Sequence, residues 1–514
     1  MYDRGLPLVV SLALLGCTGR VGDGEIGDGA STGEMGETVT PTDASSAPDA
    51  STGAPPVGCF DGSISASHED AALALASLAG FECMIGSLSI DHAELPDLPM
   101  LSALRSISGS LDITDSAMTS LAGLEQLEVI GGGLAFNNMA KLTNMDELAG
   151  LKQLGGRLFI ERCDALTALP FTQLTTIPGD IRLYDTGLLD LGGFANLTSV
   201  GGDLTIYNCD EMTAPGLGSL GVVAGDMVIG TNDGLVGPVV FTALAEVGGS
   251  LTVMGHNLLQ GVRFAALNTV GGDLVVVGNR ALLDADFPTL PMVAGDLMIQ
   301  SNGLLDLSGF ATLTTIGGEL SVHRNKALLT LDGLDAVVSA GAVYISGNDI
   351  LTGLGGLDAL TTTPKLWIVG NPVLTELDGL ASLTGAPDLE ISGNEALSSL
   401  AGLAVLSAAN NLVIYNNDVL AELDGLQNLT TLTALWIDTN PALASVDALV
   451  PGAGGSLASV LDTVSVINNL ALPTCAARKL QDALLPPPAT YCYIPNMADA
   501  CADEPGLCEP QEPP

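Results

Sequence analysis

Residues 317–334 read GGELSVHRNKALLTLDGL and contain the pattern that decides the fold. Its centre is an apolar-x-apolar triplet, Leu320-Ser321-Val322, and this alternation predicts a short β-strand with the first and third side chains pointing inward. The triplet occurs sixteen times; of the fifteen intervals, thirteen are 23 residues and two are 24. The copies begin at Leu88, Leu111, Leu134, Leu158, Ile181, Leu204, Met227, Leu251, Leu274, Leu297, Leu320, Val343, Leu366, Leu389, Leu412 and Leu435, with a degraded copy at Val464.

A repeat of this length is too short for a strand and a long helix, but it suits one turn of a solenoid. Each turn would stack its strand parallel to the previous one at about 4.8 Å, which makes the core continuous. The sequence therefore predicts an all-β, parallel β-helix-like or leucine-rich-repeat-like stack of about 17 turns over residues 88–469, with disulfide-stapled caps. The caps are expected at residues 58–87 and, with a cysteine- and proline-rich tail, at residues 470–514.

An asparagine follows many of the triplets by three residues. A stacked asparagine at a sharp turn can satisfy backbone groups that the bend leaves unpaired, and its amide can bond the amides of neighbouring turns. We interpret this asparagine column as structural. Its members are Asn232, Asn279, Asn302, Asn325, Asn348, Asn371, Asn394, Asn417, Asn440 and Asn469.

The unit Gly-Gly-x-Leu-x-Ile-x-x-Asn-x-x-Leu-x-x-Leu-x-Gly-Leu resembles the receptor L-domain repeat of insulin- and growth-factor-receptor ectodomains, a relative of leucine-rich repeats. The resemblance covers residues 88–469 and implies extracellular ligand recognition on a parallel sheet. The array is far longer than one L domain. It comes without the cysteine-rich module, membrane helix and kinase of those receptors, so receptor signalling is not part of the expectation.

The N-terminus resembles a bacterial lipoprotein signal. Residues 1–17 carry one basic residue, an apolar stretch and the sequence Leu14-Leu15-Gly16-Cys17, in which Cys17 would be lipidated. Thr18 in place of Asp after this cysteine predicts sorting to the outer membrane, exposed to the exterior or to the periplasm. The alternative is an ordinary signal peptide with an incidental cysteine. Residues 18–57 contain almost no large apolar side chains, which predicts a disordered acidic Gly/Ser/Thr/Pro tether.

Eight further cysteines are an even number, which favours disulfides in an exported chain. Cys59 and Cys83 flank the helical-looking stretch 70–78 and are expected to bridge. The cluster after the last repeat is expected to form two bridges whose pairing the sequence leaves open, from Cys475, Cys492, Cys501 and Cys508. Cys163 and Cys209 lie in the asparagine column two turns apart, about 9.5 Å, which is too far for a bridge. They are predicted to be buried free thiols.

The charge excludes several partners. Fifteen basic residues against 59 acidic ones give a net charge of −44. Such a surface repels phosphate backbones and anionic lipids, so we expect no nucleic-acid partner, and membrane contact only through the lipid anchor. The four histidines form no nucleophile-base or metal-ligand pattern, which indicates a protein without catalytic residues or a cofactor.

A carboxylate column precedes the triplets. Its members face outward at about 5 Å spacing, which suits a solvated edge, a calcium site or, less well, a carboxylate pair of a polysaccharide-cleaving enzyme. The candidates are Asp180, Asp203, Asp226, Asp273 and Asp296, followed by Glu319. A second acidic set, Asp332, Asp378 and Asp424, recurs in Leu-Asp-Gly-Leu and is typical of turns.

The rare aromatic residues fall at outward positions of the predicted strands. Exposed apolar stripes of this kind mark binding faces for proteins or for sugar rings. Alternatively, aromatic and β-branched residues stabilise their neighbours on a sheet surface. The candidate ligand-binding residues are Phe159, Tyr184 and Tyr207 near the start and Tyr344, Trp367, Tyr415 and Trp436 near the end, with Val228, Met254, Val275, Val277 and Met298 between them.

These observations predict a non-enzymatic recognition or adhesion protein of the cell surface, with a protein or glycan bound on the sheet. Two alternatives remain. One is a calcium-dependent polysaccharide-cleaving β-helix enzyme, which would need a local break in the repeat where catalytic groups converge. The other is a structural spacer whose stripe contacts its own copies.

Overall fold

The computed structural model describes residues 58–493, 496 and 497. It is a β-solenoid of about 19 turns, and each turn contributes one parallel strand to a single long sheet, here called the main sheet. This confirms the predicted fold class and adds one turn before and one after residues 88–469. The strands are Ile64–Ser67, Leu88–Asp91, Leu111–Thr114, Leu134–Asn137, Leu158–Cys163, Ile181–Thr186, Leu204–Tyr207, Met227–Gly230, Leu251–Met254, Leu274–Val277, Leu297–Gln300, Thr315–His323, Ser339–Ser346, Lys365–Val369, Asp388–Ser392, Asn411–Tyr415, Thr431–Asp438, Ser459–Ile467 and Thr490–Cys492.

The register of the main sheet pairs equivalent positions of successive repeats. Leu274 pairs with Leu297, and Leu320 pairs with Val343. The first and third residues of the triplets are buried, which confirms the prediction that these side chains point inward. Because a slip of one residue would turn every apolar side chain outward, this burial fixes the register.

A second, shorter ladder lies about five residues before the triplets. It is interrupted before Thr176 and before Met292, where Pro178 and Pro291 have no N–H to donate. Its separate strands are Cys59–Asp61, Cys83–Ile85, Ser106–Ile107, Val129–Ile130, Gln153–Leu154, Thr176–Ile177, Ser199–Val200, Val222–Val223, Glu246–Val247, Thr269–Val270 and Met292–Val293.

Phenylalanine rings stack inside the remaining part of the turns. Phe241, Phe264, Phe287 and Phe310 are buried, with ring centroids 4.7, 5.2 and 5.1 Å apart. Three short strands lie there, Pro238–Phe241, Gly261–Phe264 and Asp284–Asp286. Elsewhere this part forms 3-10 turns at His68–Asp70, Pro99–Leu101, Asp146–Gly150, Gly192–Phe194, Ser308–Phe310, Asp378–Leu380 and Ala401–Leu403.

The asparagine column is buried and hydrogen-bonded from turn to turn. Asn348 is representative: its Oδ1 accepts the backbone N–H of Asn325 at 3.0 Å, and its Nδ2 donates to the carbonyl of Val322 at 3.0 Å. Nδ2 also lies 3.2 Å from Oδ1 of Asn371. The interpretation of this column as structural is therefore correct, and Asn496 extends it by one turn at the C-terminal end.

Two helices lie near the ends. Ala71–Ala76 buries Ala71 and Leu75, and Thr474–Ala483 buries Thr474, Ala477 and Leu480. The predicted Cys59–Cys83 disulfide is present and joins the first two strands of the short ladder. Within residues 58–493, no helix has the length and apolar character that a membrane crossing requires.

The remaining cysteines divide into two groups. Cys475 and Cys492 are disulfide-bonded, whereas Cys501 and Cys508 lie outside the described residues. Cys163 and Cys209 are buried free thiols, as predicted, and the Thr186 hydroxyl lies 3.0 Å from the sulfur of Cys209. The predicted signal at 1–17, the lipidation site Cys17 and the tether at 18–57 also lie outside the described residues.

Candidate binding face

The outward side of the main sheet, here called the sheet face, carries the aromatic residues singled out from the sequence. Most of them are half-buried, and Tyr415 is 42% exposed. The half-buried rings are Phe159, Tyr184, Tyr207, Tyr344 and Trp367. The sequence therefore located these rings correctly on an outward surface, while their role as ligand contacts stays a prediction.

Neighbouring rings form pairs rather than one continuous stack. Tyr184 and Tyr207 lie on adjacent strands with centroids 6.1 Å apart. Tyr344 and Trp367 meet edge to face at 4.9 Å, and the ammonium group of Lys365 lies 4.6 Å from the centre of the Trp367 ring. The second aromatic group thus already holds a cation of its own over its largest ring.

Trp436 differs from the other aromatic residues. It is only 9% exposed and packs with Val413 and Ala434 in a small apolar cluster separate from the main core. Within the described residues its buried Nε1–H has no hydrogen-bond acceptor. The ring lies on the outward side of its strand, as predicted, but its packing against Val413 and Ala434 leaves little of its surface exposed to a ligand.

Between the two aromatic groups the sheet face carries half-exposed apolar side chains together with polar ones such as Thr252 and Gln300. The apolar residues on consecutive strands there are Val228, Met254, Val275, Val277 and Met298, and the Tyr207 ring packs over the buried Gly230. This apolar stripe sits on rigid strands, so a partner could contact it with little ordering of the protein.

The carboxylate column borders this stripe, and its carboxylates accept backbone hydrogen bonds between successive turns. Asp203 donates its backbone N–H to Oδ1 of Asp180 at 3.0 Å, and the same contact recurs from Asp226 to Asp203 at 3.0 Å. It continues from Asp296 to Asp273 at 2.8 Å and from Glu319 to Asp296 at 2.7 Å. Each Oδ1 therefore accepts a backbone hydrogen bond from the next turn, while Oδ2 takes no part in these bonds.

Serine fills the same position elsewhere in the stack. Ser250 replaces an aspartate, and its hydroxyl oxygen accepts the backbone N–H of Asp273 at 3.0 Å. Ser63, Ser87 and Ser110 do the same near the N-terminus. The common requirement at this position is an acceptor oxygen rather than a charge, and the sequence analysis missed it.

Arg182, at the second triplet position, pairs with two carboxylates of this column from the side. The Nη2 atom of Arg182 lies 3.1 Å from Oδ2 of Asp180 and 3.4 Å from Oδ2 of Asp203. Its guanidinium therefore bridges the carboxylates of two successive turns with the oxygen atoms that the backbone leaves available.

Farther along, the next cation is Lys365, which stands at the column position two turns after Glu319. In the part of the chain that the structure describes, Asp226, Asp273, Asp296 and Glu319 form no ion pair. Burial and then the charge of Asp296 raise the pKa of Glu319 above its usual value. Burial is the larger cause, and the Ser321 hydrogen bond and the charge of Lys365 partly offset the increase in pKa.

One cluster has the composition of a metal site. Among residues 58–493, Asp91, His92 and Asp115 bring three potential ligand atoms within 4.8 Å of one another. The His92 Nδ1 lies 2.7 Å from Oδ1 of Asp91, and the His68 ring stacks on His92 at 5.3 Å. The hydrogen bond from Thr114 lowers the pKa of Asp91. The predicted calcium candidates Asp180, Asp203, Asp226, Asp273 and Asp296 do not belong to this group.

A serine-histidine pair that the sequence analysis missed also lies on the sheet face. The His323 Nδ1 contacts the hydroxyl of Ser346 on the adjacent strand, and burial lowers the pKa of His323. Within the described residues no carboxylate hydrogen-bonds the other ring nitrogen, which is the orienting contact of a catalytic triad.

Comparisons with known proteins find similarity among solved structures. No protein-family model matches the chain, and no curated protein does so either. Among solved structures, the chain is similar to a leucine-rich-repeat protein of Leptospira interrogans at 15% identity, over 82% of this chain and 91% of that one, with a TM-score of 0.29. The description of the fold rests on the strand ladder of this chain itself.

Proposed function

We propose that this protein is a non-enzymatic recognition scaffold that binds another protein through the sheet face. The main supporting observation is the concentration of half-exposed aromatic and apolar side chains on the strands between Phe159 and Trp367, although polar residues such as Arg182 and Gln300 interrupt it. Clusters of exposed apolar side chains with polar neighbours are typical of protein-binding surfaces. Solenoid folds offer such extended surfaces because each repeat adds one strand to the same face.

The proposed place of action is the cell surface. The export signal at residues 1–17, with lipidation at Cys17, and the acidic tether at 18–57 support this location. The Cys59–Cys83 disulfide fits an oxidising compartment. The resemblance to receptor L domains points the same way, and glycans remain a second ligand class because sugars also stack on aromatic rings.

A retention assay on the full chain tests the sheet face. The protein is immobilised and exposed to panels of purified envelope proteins and surface glycans. Tyr344→Ala with Trp367→Ala should lower retention of the bound partner by about tenfold or more, because large aromatic contacts dominate interface energies. Trp436 is a poor probe because it is largely buried.

The matched control removes exposed apolar groups from another surface. Leu283 and Leu305 are 55% and 48% exposed and lie outside the main sheet. Leu283→Ala with Leu305→Ala should leave retention unchanged. Equal losses in both variants, or no loss in either, would reject the sheet face as the binding surface.

A further inference from the structure

We infer that the partner of the sheet face is a basic amphipathic helix, whose arginine or lysine row lies on the carboxylate column while its apolar row lies on the adjacent stripe. This inference rests on the proposed function and specifies its ligand. It starts from Arg182, which shows how a guanidinium binds the column: across two turns, through Oδ2 atoms, without disturbing the Oδ1 contacts.

The same arrangement is available farther along without an occupant. Asp273, Asp296 and Glu319 follow one another on successive turns, and their backbone contacts use the same geometry as Asp180 and Asp203. They form no ion pair in the described part of the chain, and Asp296 and Glu319 repel each other, a repulsion that Lys365 two turns farther on offsets only in part. A cationic side chain placed between them would relieve this repulsion.

Apolar side chains lie beside the carboxylates two residues farther along each strand, a distance of about 6.6 Å. Val275 is the next outward residue after Asp273 on one strand, and Met298 is the next after Asp296 on the adjacent strand. On these two turns the sheet face therefore presents an anionic row beside an apolar row, and Asp226 with Val228 repeats the arrangement beyond the Ser250 turn. A partner with one cationic row next to one apolar row is complementary to both.

The spacing of these rows favours a helix over an extended strand. Successive turns of the solenoid are about 4.8 Å apart, and an α-helix repeats its rows about every 5.4 Å. An extended chain repeats its side chains on one face about every 6.6 Å. Over four turns a helix lying along the stack departs from the column by about 2.4 Å, which flexible Lys and Arg side chains can absorb.

Charge excludes the occupants that belong to this chain. A second copy would bring another −44 charges to an acidic surface. Residues 18–57 contain seven acidic residues and one arginine, and residues 498–514 contain five acidic residues and no basic one. A separate protein with a basic helix is the occupant that the charges allow.

Peptide binding to the full chain tests this inference. The probe is a helical peptide of about 18 residues with arginines and leucines in two adjacent rows, each row alternating i, i+3 and i, i+4 steps so that its mean spacing stays near 5.4 Å. One comparison peptide has citrulline for arginine, and another has the same composition in scrambled order. Fluorescence anisotropy gives the affinities at about 50 and about 300 mM NaCl.

The protein variants separate specific from general attraction. The triple variant D226N/D273N/D296N keeps Oδ1 as an acceptor and removes three charges from the sheet face. The control D332N/D378N/D424N removes three exposed charges from turns elsewhere. We expect the sheet-face variant to weaken arginine-peptide binding by about tenfold or more, and the control by less than about twofold. The citrulline and scrambled peptides should bind at least about tenfold more weakly.

Three outcomes would overturn the inference: equal weakening by both triple variants, equal binding of the scrambled peptide, or no binding of the arginine peptide. Each is distinct from failure of the proposed function. Loss of partner retention in the Tyr344 and Trp367 variant, together with any of these outcomes, would leave a recognition face whose ligand is not a basic helix.

Discussion

The Nδ1 atom of His256 lies 3.2 Å from the backbone nitrogen of Asn232 in the preceding turn, and its Nε2 lies 3.1 Å from the carbonyl oxygen of Ile229. The imidazole thus reproduces both bonds of an asparagine amide, with Nδ1 as acceptor and Nε2–H as donor. Oδ1 of Asn279 in turn accepts the backbone N–H of His256 at 3.0 Å. Among the buried histidine and asparagine side chains that the structure describes in this column, only that of His256 can change its protonation state.

The first prediction concerns acid stability. Burial lowers the pKa of His256, so the folded protein favours the neutral ring. The unfolded chain takes up this proton near pH 6.5, and the contribution of His256 to stability is therefore present above that pH and lost as the pH falls below it. Urea unfolding of the wild type and of His256→Asn at about pH 7.5 and about pH 5 should show a smaller acid loss for the variant. The exposed His92→Asn serves as the control, and identical losses in all three proteins would contradict the prediction.

The second prediction concerns the asparagine column. Asn348→Ala removes an acceptor from the backbone of Asn325 and a donor from the carbonyl of Val322. Two buried groups would lose their partners, and the free energy of unfolding should fall by about 2–4 kcal/mol. Asn428 is exposed and bonds the carbonyl of Ala404, so Asn428→Ala should cost less than about 1 kcal/mol. Chemical unfolding compares the two, and equal costs would mean that the column is not what holds the turns together.

The third prediction concerns backbone strain at Thr231. This β-branched residue has a φ of 48°, and its buried hydroxyl has no partner in the described part of the chain. Asn208, one turn earlier, adopts a φ of 54°, and asparagine tolerates this region better than threonine does. Thr231→Asn should therefore raise the free energy of unfolding by about 0.5–1 kcal/mol. Thr205→Asn, in a strand, should not stabilise; a lower melting temperature for Thr231→Asn would refute the argument.

The fourth prediction concerns the two free thiols. Burial raises the pKa of Cys163 to about 11 and also raises that of Cys209. Neither thiol should react with a disulfide reagent at about pH 8 in the folded protein, because the thiolate is the reactive form. Unfolding without reductant should release two reactive groups that Cys163→Ser/Cys209→Ser lacks. Rapid reaction of the native protein would show that the turns around Cys163 open readily.

The sequence was sufficient to locate much of the sheet face, because the alternation of inward and outward side chains is set within each strand. Tyr344 and Trp367 point outward since Val343, Ile345, Leu366 and Ile368 on either side of them point inward. The same reasoning missed the stacked Phe241, Phe264, Phe287 and Phe310, although these phenylalanines recur at steps of 23 residues and could have been found by the search that found the triplets. It also missed the outermost turns, where Ala66 takes the place of a larger apolar residue and Tyr491 pairs with Val464.

Other features depended on contacts between turns. The burial of Trp436 comes from Val413 and Ala434, and the bridging position of Arg182 comes from carboxylates on its own and the next turn. His256 could not be assigned as an asparagine substitute from one residue of sequence, because its role depends on groups contributed by the neighbouring turns.

The sequence by itself determined the period, the parity and the polar columns, because each of these repeats within a single turn of 23 or 24 residues. Only the tertiary structure decided which outward side chains stay accessible and which carboxylate oxygens are already engaged. Accessibility and hydrogen bonding are set by neighbours one turn away, and these approach only when the chain has stacked.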